Sequence, residues 1–184
     1  NFSIFFTILC VLCLVNALNL ADGINGLALG IIITWLFYIN QIYENNLSLL
    51  INIIFLNLVL ILINNIRGKY FLGDSGSLML SSFVALLIIY LHNQNIDMPN
   101  YRNSSENILI IFLIPVLDMI RLFFERIKNK RNPFSFDRLH LHHLLLRKFS
   151  YSKTILIILI LISLPIILSQ LNLNKLFIIL ISMT

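Results

Sequence analysis

The densest group of chemically active side chains lies between Pro133 and His143. This segment reads Pro-Phe-Ser-Phe-Asp-Arg-Leu-His-Leu-His-His and holds three of the four histidines of the chain, His140, His142 and His143, with Arg138. Imidazole and guanidinium groups bind phosphate through charge-assisted hydrogen bonds. Histidines also bind zinc, but no cysteine and no carboxylate in HExxH spacing accompanies these three. The segment therefore favours phosphate or pyrophosphate binding over a zinc site.

A second polar motif, Asn-Leu-Ala-Asp-Gly-Ile-Asn-Gly, begins at Asn19. Its two glycines permit a positive φ and a close approach of the backbone. Asp22 and Asn25 border an apolar run, where polar groups are costly unless they are used. Helix capping in a tight turn is the structural alternative.

A third motif, Phe-Leu-Gly-Asp-Ser-Gly-Ser, begins at Phe71 and opens another apolar run. A helix N-terminus offers backbone amides and a dipole that favour phosphate, and the carboxylate of Asp74 is a suitable ligand for Mg²⁺. An ordinary N-cap explains the same residues equally well.

The composition determines the class of protein that carries these motifs. Of the 184 residues, 59% are hydrophobic and 11% are charged, whereas soluble domains have roughly 45–50% and about 25%. The chain is therefore an integral membrane protein, and we expect an all-α polytopic fold with about seven transmembrane helices in one domain, 1–184. Its apolar runs are 2–18, 27–43, 47–63, 77–91, 108–124, 154–169 and 173–184.

Basic residues indicate the orientation of the chain, because Lys and Arg stay on the cytoplasmic side. With alternating crossings, eleven of the thirteen Lys and Arg residues fall on the face that carries 19–26, 64–76 and 121–153. All three motifs are predicted on this face, with a cytoplasmic histidine loop at about 125–153 and a short amphipathic helix at roughly 139–149. No module for nucleic acid binding is present.

Asp118 is a weaker candidate for function. It lies late in the fifth apolar run and follows Pro115. Arg121 stands three residues later, where its charge would neutralise an aspartate at membrane depth. Structural pairing is the favoured interpretation.

The motifs at 16–28, 71–78, 114–119 and 132–145 together resemble the polyprenyl-phosphate N-acetylhexosamine-1-phosphate transferases of glycosyltransferase family 4. The His-x-His-His pattern is similar to the WecA/TagO-like branch. The resemblance implies transfer of a sugar 1-phosphate, by default GlcNAc 1-phosphate, from a UDP-sugar to polyprenyl (undecaprenyl) phosphate, with release of UMP. It implies Mg²⁺, with Mn²⁺ as an alternative, the cytoplasmic face of a bacterial inner membrane, and a homodimer as one possible assembly.

The resemblance also assigns roles to residues. Asp74 matches the magnesium-binding aspartate of the family, and Asp22 matches an essential aspartate. Asn19 and Phe71 match positions of the uridine pocket, with Phe71 as the ring that stacks on uracil. The remaining substrate-binding positions are Asn25, Arg138, His140, His142 and His143, of which Arg138 and the histidines would hold the diphosphate and sugar.

Two departures from the family pattern matter. Many relatives carry an aspartate where this chain has Asn25, and the paired aspartates of the family lie in a loop that would precede Asn1. We therefore expect these 184 residues to be the C-terminal part of an active enzyme and to be inactive alone. A non-catalytic membrane subunit and a transporter using intramembrane carboxylates are the alternatives.

Overall fold

The computed structural model describes residues 2–42, 47–95, 105–132 and 139–171, and within these ranges every regular element is a helix. The helices are α1 (Phe2–Ala21), α2 (Leu27–Ile42), α3 (Ser48–Ile66), α4 (Gly73–Asn95), α5 (Ser105–Lys128), α6 (Leu141–Leu146) and α7 (Tyr151–Gln170). Helices α1, α3, α4, α5 and α7 are long and apolar enough to cross a membrane, while α2 is a shorter apolar helix. The predicted all-α, multi-pass membrane protein is confirmed.

Six of the seven predicted apolar runs correspond to α1–α5 and α7, and the run 173–184 lies outside the described residues. The amphipathic helix predicted at roughly 139–149 is the shorter α6. It begins after His140, which is its N-cap residue, and Arg147 is its C-cap.

Helix α2 forms the centre of the bundle and packs against α1, α3, α4 and α7. A helix that is hydrophobic on every side is expected to be buried. Trp35, Leu36 and Ile39 are completely buried, and the Trp35 ring meets that of Phe112 edge to face, with 4.8 Å between the ring centroids. Helices α1 and α3 instead leave many large apolar side chains exposed, as expected of surfaces that face lipid.

Candidate active site

The three polar motifs meet at one end of the bundle. Ser77 in α4 donates a hydrogen bond to Oδ1 of Asn19 in α1, with 2.5 Å between the oxygens. The imidazole of His142, in the histidine segment, lies against Gly23 of the motif that begins at Asn19. The predicted proximity of the motifs is thus observed for their described residues, whereas Arg138 lies outside them.

Asp22 and Asp74 are neighbours at this end. Asp22 directly follows α1, and Asp74 is exposed in the first turn of α4. Partial burial raises the pKa of Asp22 to about 6, and the nearby charge of Asp74 contributes to the rise, while a hydrogen bond from the Gly73 amide opposes it. Two carboxylates that repel each other in this way form a place where a cation is stabilising.

The donor set fits Mg²⁺ better than a metal that needs a full protein cage. Among the described residues, no group of three or more His, Cys, Asp or Glu side chains is arranged to hold a metal ion. Mg²⁺ is usually held by one or two carboxylates, together with water and substrate phosphates. Asp74, with Asp22 beside it, meets that requirement.

An open groove with a volume of about 220 Å³ lies between α2, α3 and the segment that leads into α4, and Leu72 in its lining is two residues before Asp74. The side chain of Phe71 is 78% exposed at its edge, so its ring is accessible for stacking on a planar ligand. The residues that line the groove are Leu29, Ile61, Asn65, Tyr70, Phe71 and Leu72.

Of the two asparagines predicted to bind substrate, one has a clear structural role. Asn19 is half-buried and accepts the Ser77 hydroxyl through Oδ1, which joins the end of α1 to the start of α4. Asn25 is half-buried in the α1–α2 turn, and its backbone carbonyl is held by Tyr151. Substrate binding by either side chain stays a prediction.

One of the histidines lies against the turn that contains Asp22. His142 is buried, and its Nε2 lies so close to Gly23 that a side chain at position 23 would collide with the imidazole. The rings of His142 and His143 are 4.1 Å apart between centroids. Burial, and then the neighbouring His143 and His140, lower the pKa of His142 to about 4, so this imidazole is neutral at neutral pH. Binding of the diphosphate and sugar by the histidines stays a prediction.

Asp118 anchors the histidine segment to α5. Its carboxylate pairs with Arg121 at 2.8 Å, as predicted, and also lies 3.2 Å from Nδ1 of His140 and accepts the Leu141 amide at the start of α6. Arg121 donates to the Leu139 carbonyl at 2.7 Å. This second role of Asp118 is not predictable from the sequence, because spacing reveals only the partner within the same helix.

The positions of the carboxylates disagree with the transporter alternative, which requires ionisable groups near the middle of the membrane. Asp22 and Asp74 lie at helix ends, and Asp118 is occupied by Arg121 and the start of α6. The groups converge instead on one end of the bundle, as expected for a site at a membrane surface.

Comparisons with known proteins show which sequences the chain resembles. A sequence model described as glycosyl transferase family 4 matches residues 1–92. The undecaprenyl-phosphate alpha-N-acetylglucosaminyl 1-phosphate transferase of Escherichia coli K12 is 30% identical over 158 residues, which cover 79% of this chain and 41% of the relative. The protein of the same name from Yersinia pestis is 32% identical over 160 residues, covering 77% and 40%. The chain thus spans about two fifths of the length of these relatives, and no solved structure matches it.

Proposed function

The chain belongs to glycosyl transferase family 4, and from this membership we propose that its protein transfers GlcNAc 1-phosphate from UDP-GlcNAc to undecaprenyl phosphate and releases UMP. The names of the relatives supply the lipid acceptor and the sugar. We place the reaction at the cytoplasmic face of a bacterial inner membrane, where the basic residues of the motif-bearing loops would lie. It would be an early membrane step in building a cell-surface polysaccharide.

The observation that carries the proposal is the meeting of Asp22 and Asp74, with the Phe71 groove lined by the residues that lead into Asp74. In the reaction, an oxygen of the lipid phosphate forms a bond to the β-phosphorus of UDP-GlcNAc. The bond from that phosphorus to the bridging oxygen breaks, and UMP leaves with the oxygen. Phosphoryl transfer depends mainly on positioning and on neutralising negative charge, which suits a site of few groups held on several helices.

Asp74, assisted by Asp22, would hold Mg²⁺, or Mn²⁺ in its place. The bound ion would supply positive charge to the diphosphate of the donor. The N-terminal end of the α4 helix dipole favours phosphate next to Asp74, and the Phe71 ring offers a stacking surface for uracil. His142 lies against Gly23 in the turn 22–26 between α1 and α2 (the Asp22 turn), with His143 next to it, and a neutral imidazole there can hydrogen-bond phosphate or sugar oxygens.

The membrane-crossing helices offer a surface along which the lipid substrate can reach the site. Exposed apolar side chains cover the outer faces of the membrane-crossing helices. A polyprenyl tail can therefore lie in the bilayer against the bundle while its phosphate reaches the polar end. No soluble carrier for the lipid is needed in this arrangement.

The test uses membranes that contain the natural-length protein. With UDP-GlcNAc, undecaprenyl phosphate and Mg²⁺, we expect release of UMP that stops with EDTA. Asp74→Asn should abolish the release, whereas Glu125→Gln, which also removes a carboxylate but lies toward the end of α5, should retain it. Normal Mg²⁺-dependent turnover by Asp74→Asn would refute the metal assignment, and UDP-GlcNAc binding without UMP release would show a non-catalytic subunit.

A further inference from the structure

A single peptide group in the Asp22 turn is held from both sides by other helices. The carbonyl of Asn25 accepts a hydrogen bond from the hydroxyl of Tyr151 in α7. The amide of Gly26 donates to Oδ1 of Asn65 in α3. The Asn25 carbonyl and the Gly26 amide belong to one planar peptide unit, so the two side chains together fix its orientation.

Asn65 also connects this peptide to the next motif. Only 2% of its surface is exposed, and its Nδ2 donates to the carbonyl of Tyr70 at 2.8 Å. Both ends of the side-chain amide are thus used. One buried asparagine ties the Asp22 turn to the residue that directly precedes Phe71.

The backbone at this point needs such a restraint. Gly26 has φ +83°, which glycine adopts without the steric penalty of other residues. A β-turn with a positive φ at its third residue differs from the commonest type of β-turn by a rotation of the peptide between its two central residues. The hydrogen bonds from Asn65 and Tyr151 select one of these orientations.

We propose that Asn65 and Tyr151 are positioning residues that hold the Asn25–Gly26 peptide and thereby set Asp22 against Asp74 and the Phe71 groove. The inference rests on the proposed transferase reaction for its kinetic consequence, but its structural part stands on the contacts alone. Misplacing reactive groups by about 1 Å can cost about a hundredfold in rate. Neither residue needs to touch a substrate to have this effect.

The experiment compares Tyr151→Phe, which removes one hydroxyl, with Asn65→Leu, which removes both polar ends of the amide. Each should lower kcat for UMP release about tenfold or more, and Tyr151→Phe should change KM for UDP-GlcNAc by less than about threefold. Asn65 also lines the Phe71 groove, so KM is compared only for Tyr151→Phe. The double variant should be little worse than the more impaired single variant, because both act on one peptide. The control is Asn57→Leu, since exposed Asn57 in the same helix bonds only the Ile53 carbonyl one turn away.

Hydrogen–deuterium exchange of the segment 22–30 provides a readout that does not depend on activity. Asn65→Leu and Tyr151→Phe should exchange faster there than the unmodified protein, and Asn57→Leu should not. Asn65→Asp keeps an acceptor for the Gly26 amide and should restore protection, which also covers the case in which Asn65→Leu fails to accumulate. Unchanged exchange and unchanged kcat in Tyr151→Phe would overturn the inference. If the unmodified protein releases no UMP but the two variants still exchange faster, the positioning role of Asn65 and Tyr151 stands and the transferase reaction is rejected.

Discussion

Asp118 and His140 lie 22 residues apart in the sequence and face each other with 3.2 Å between Oδ2 and Nδ1. When a carboxylate accepts from one imidazole nitrogen, it fixes the proton there and leaves the other nitrogen as an acceptor. Asp118 therefore determines both the place of the histidine segment on α5 and the orientation of the first of its rings.

We expect Asp118→Asn to lower UMP release roughly tenfold, about 1.4 kcal/mol in transition-state stabilisation. The variant keeps the shape of the side chain but loses the charge that holds Arg121 and His140. The measurement is kcat in membranes that contain the natural-length protein. Glu125→Gln is the matched control, because its ion pair with Arg121 at 3.1 Å is partly exposed and such pairs contribute little. Equal rates for the two variants would contradict the role of Asp118.

Gly23→Ala should destabilise the protein by about 1–3 kcal/mol, the usual cost of forcing a methyl group into a packed contact. The new methyl would meet the His142 ring. A thermal unfolding curve in detergent measures the effect. Gly30→Ala is the control, because its methyl would meet only the end of the Leu159 side chain, at 3.3 Å.

The collision at position 23 can be checked by removing its other partner. The double variant Gly23→Ala/His142→Ala lacks the imidazole. Its melting temperature should therefore be higher than that of Gly23→Ala. A double variant that is less stable by the full sum of both single effects would show that His142 does not fill this space.

Phe71→Leu should weaken UDP-GlcNAc binding by about tenfold, because stacking of a base on an aromatic ring contributes about 1–3 kcal/mol. Phe71→Tyr keeps the ring and should bind nearly normally. Binding is measured by titration with UDP-GlcNAc. Phe124→Leu is the control, since this ring is also exposed but lies near the end of α5. Normal binding by Phe71→Leu would remove uracil stacking from the role of this residue.

His142 should make stability depend on pH. Its pKa is about 4 in the folded chain and about 6.5 in an unfolded one, so the unfolded chain binds more protons between these values. Stability is therefore fully present above about pH 6.5 and falls as the pH decreases toward 4, by at most about 1.4 kcal/mol per pH unit from this group. The neighbouring His143 and His140 lower the pKa of His142, and the charge of Asp118 raises it.

Melting temperatures between pH 7.5 and pH 5 test this expectation. His142→Gln removes the titrating group, so its melting temperature should decline less over the range than that of the unmodified protein. An equal decline in both proteins would assign the pH dependence to other residues.

The convergence of the motifs was predictable because helices that cross a membrane in alternation place every second connection on one side. Asp22 lies between the first and second apolar runs, and Asp74 lies between the third and fourth. Both are therefore expected on the same side of the membrane. The transmembrane class was equally predictable, because apolar runs of this length are typical of helices that cross a membrane.

The partners of individual side chains were not predictable in this way. Asn65 is one of many asparagines in apolar helices, and only the rotation of α3 about its axis decides that it reaches Gly26 and Tyr70. The bond between Asp118 and His140 likewise depends on how the chain returns from α5 to α6. Spacing within one helix reveals Arg121 but contains no information about such distant contacts.

The short central helix α2 has a consequence for how the protein meets its bilayer. Its 16 residues span about 24 Å, less than the roughly 30 Å of a hydrocarbon core. Neighbouring helices enclose most of its length. A change in bilayer thickness is therefore expected to act on those helices, which contact the lipid directly. Among the described membrane helices, α2 is the one that its neighbours enclose most fully, so we expect the Asp22 turn that precedes it to respond little to acyl-chain length.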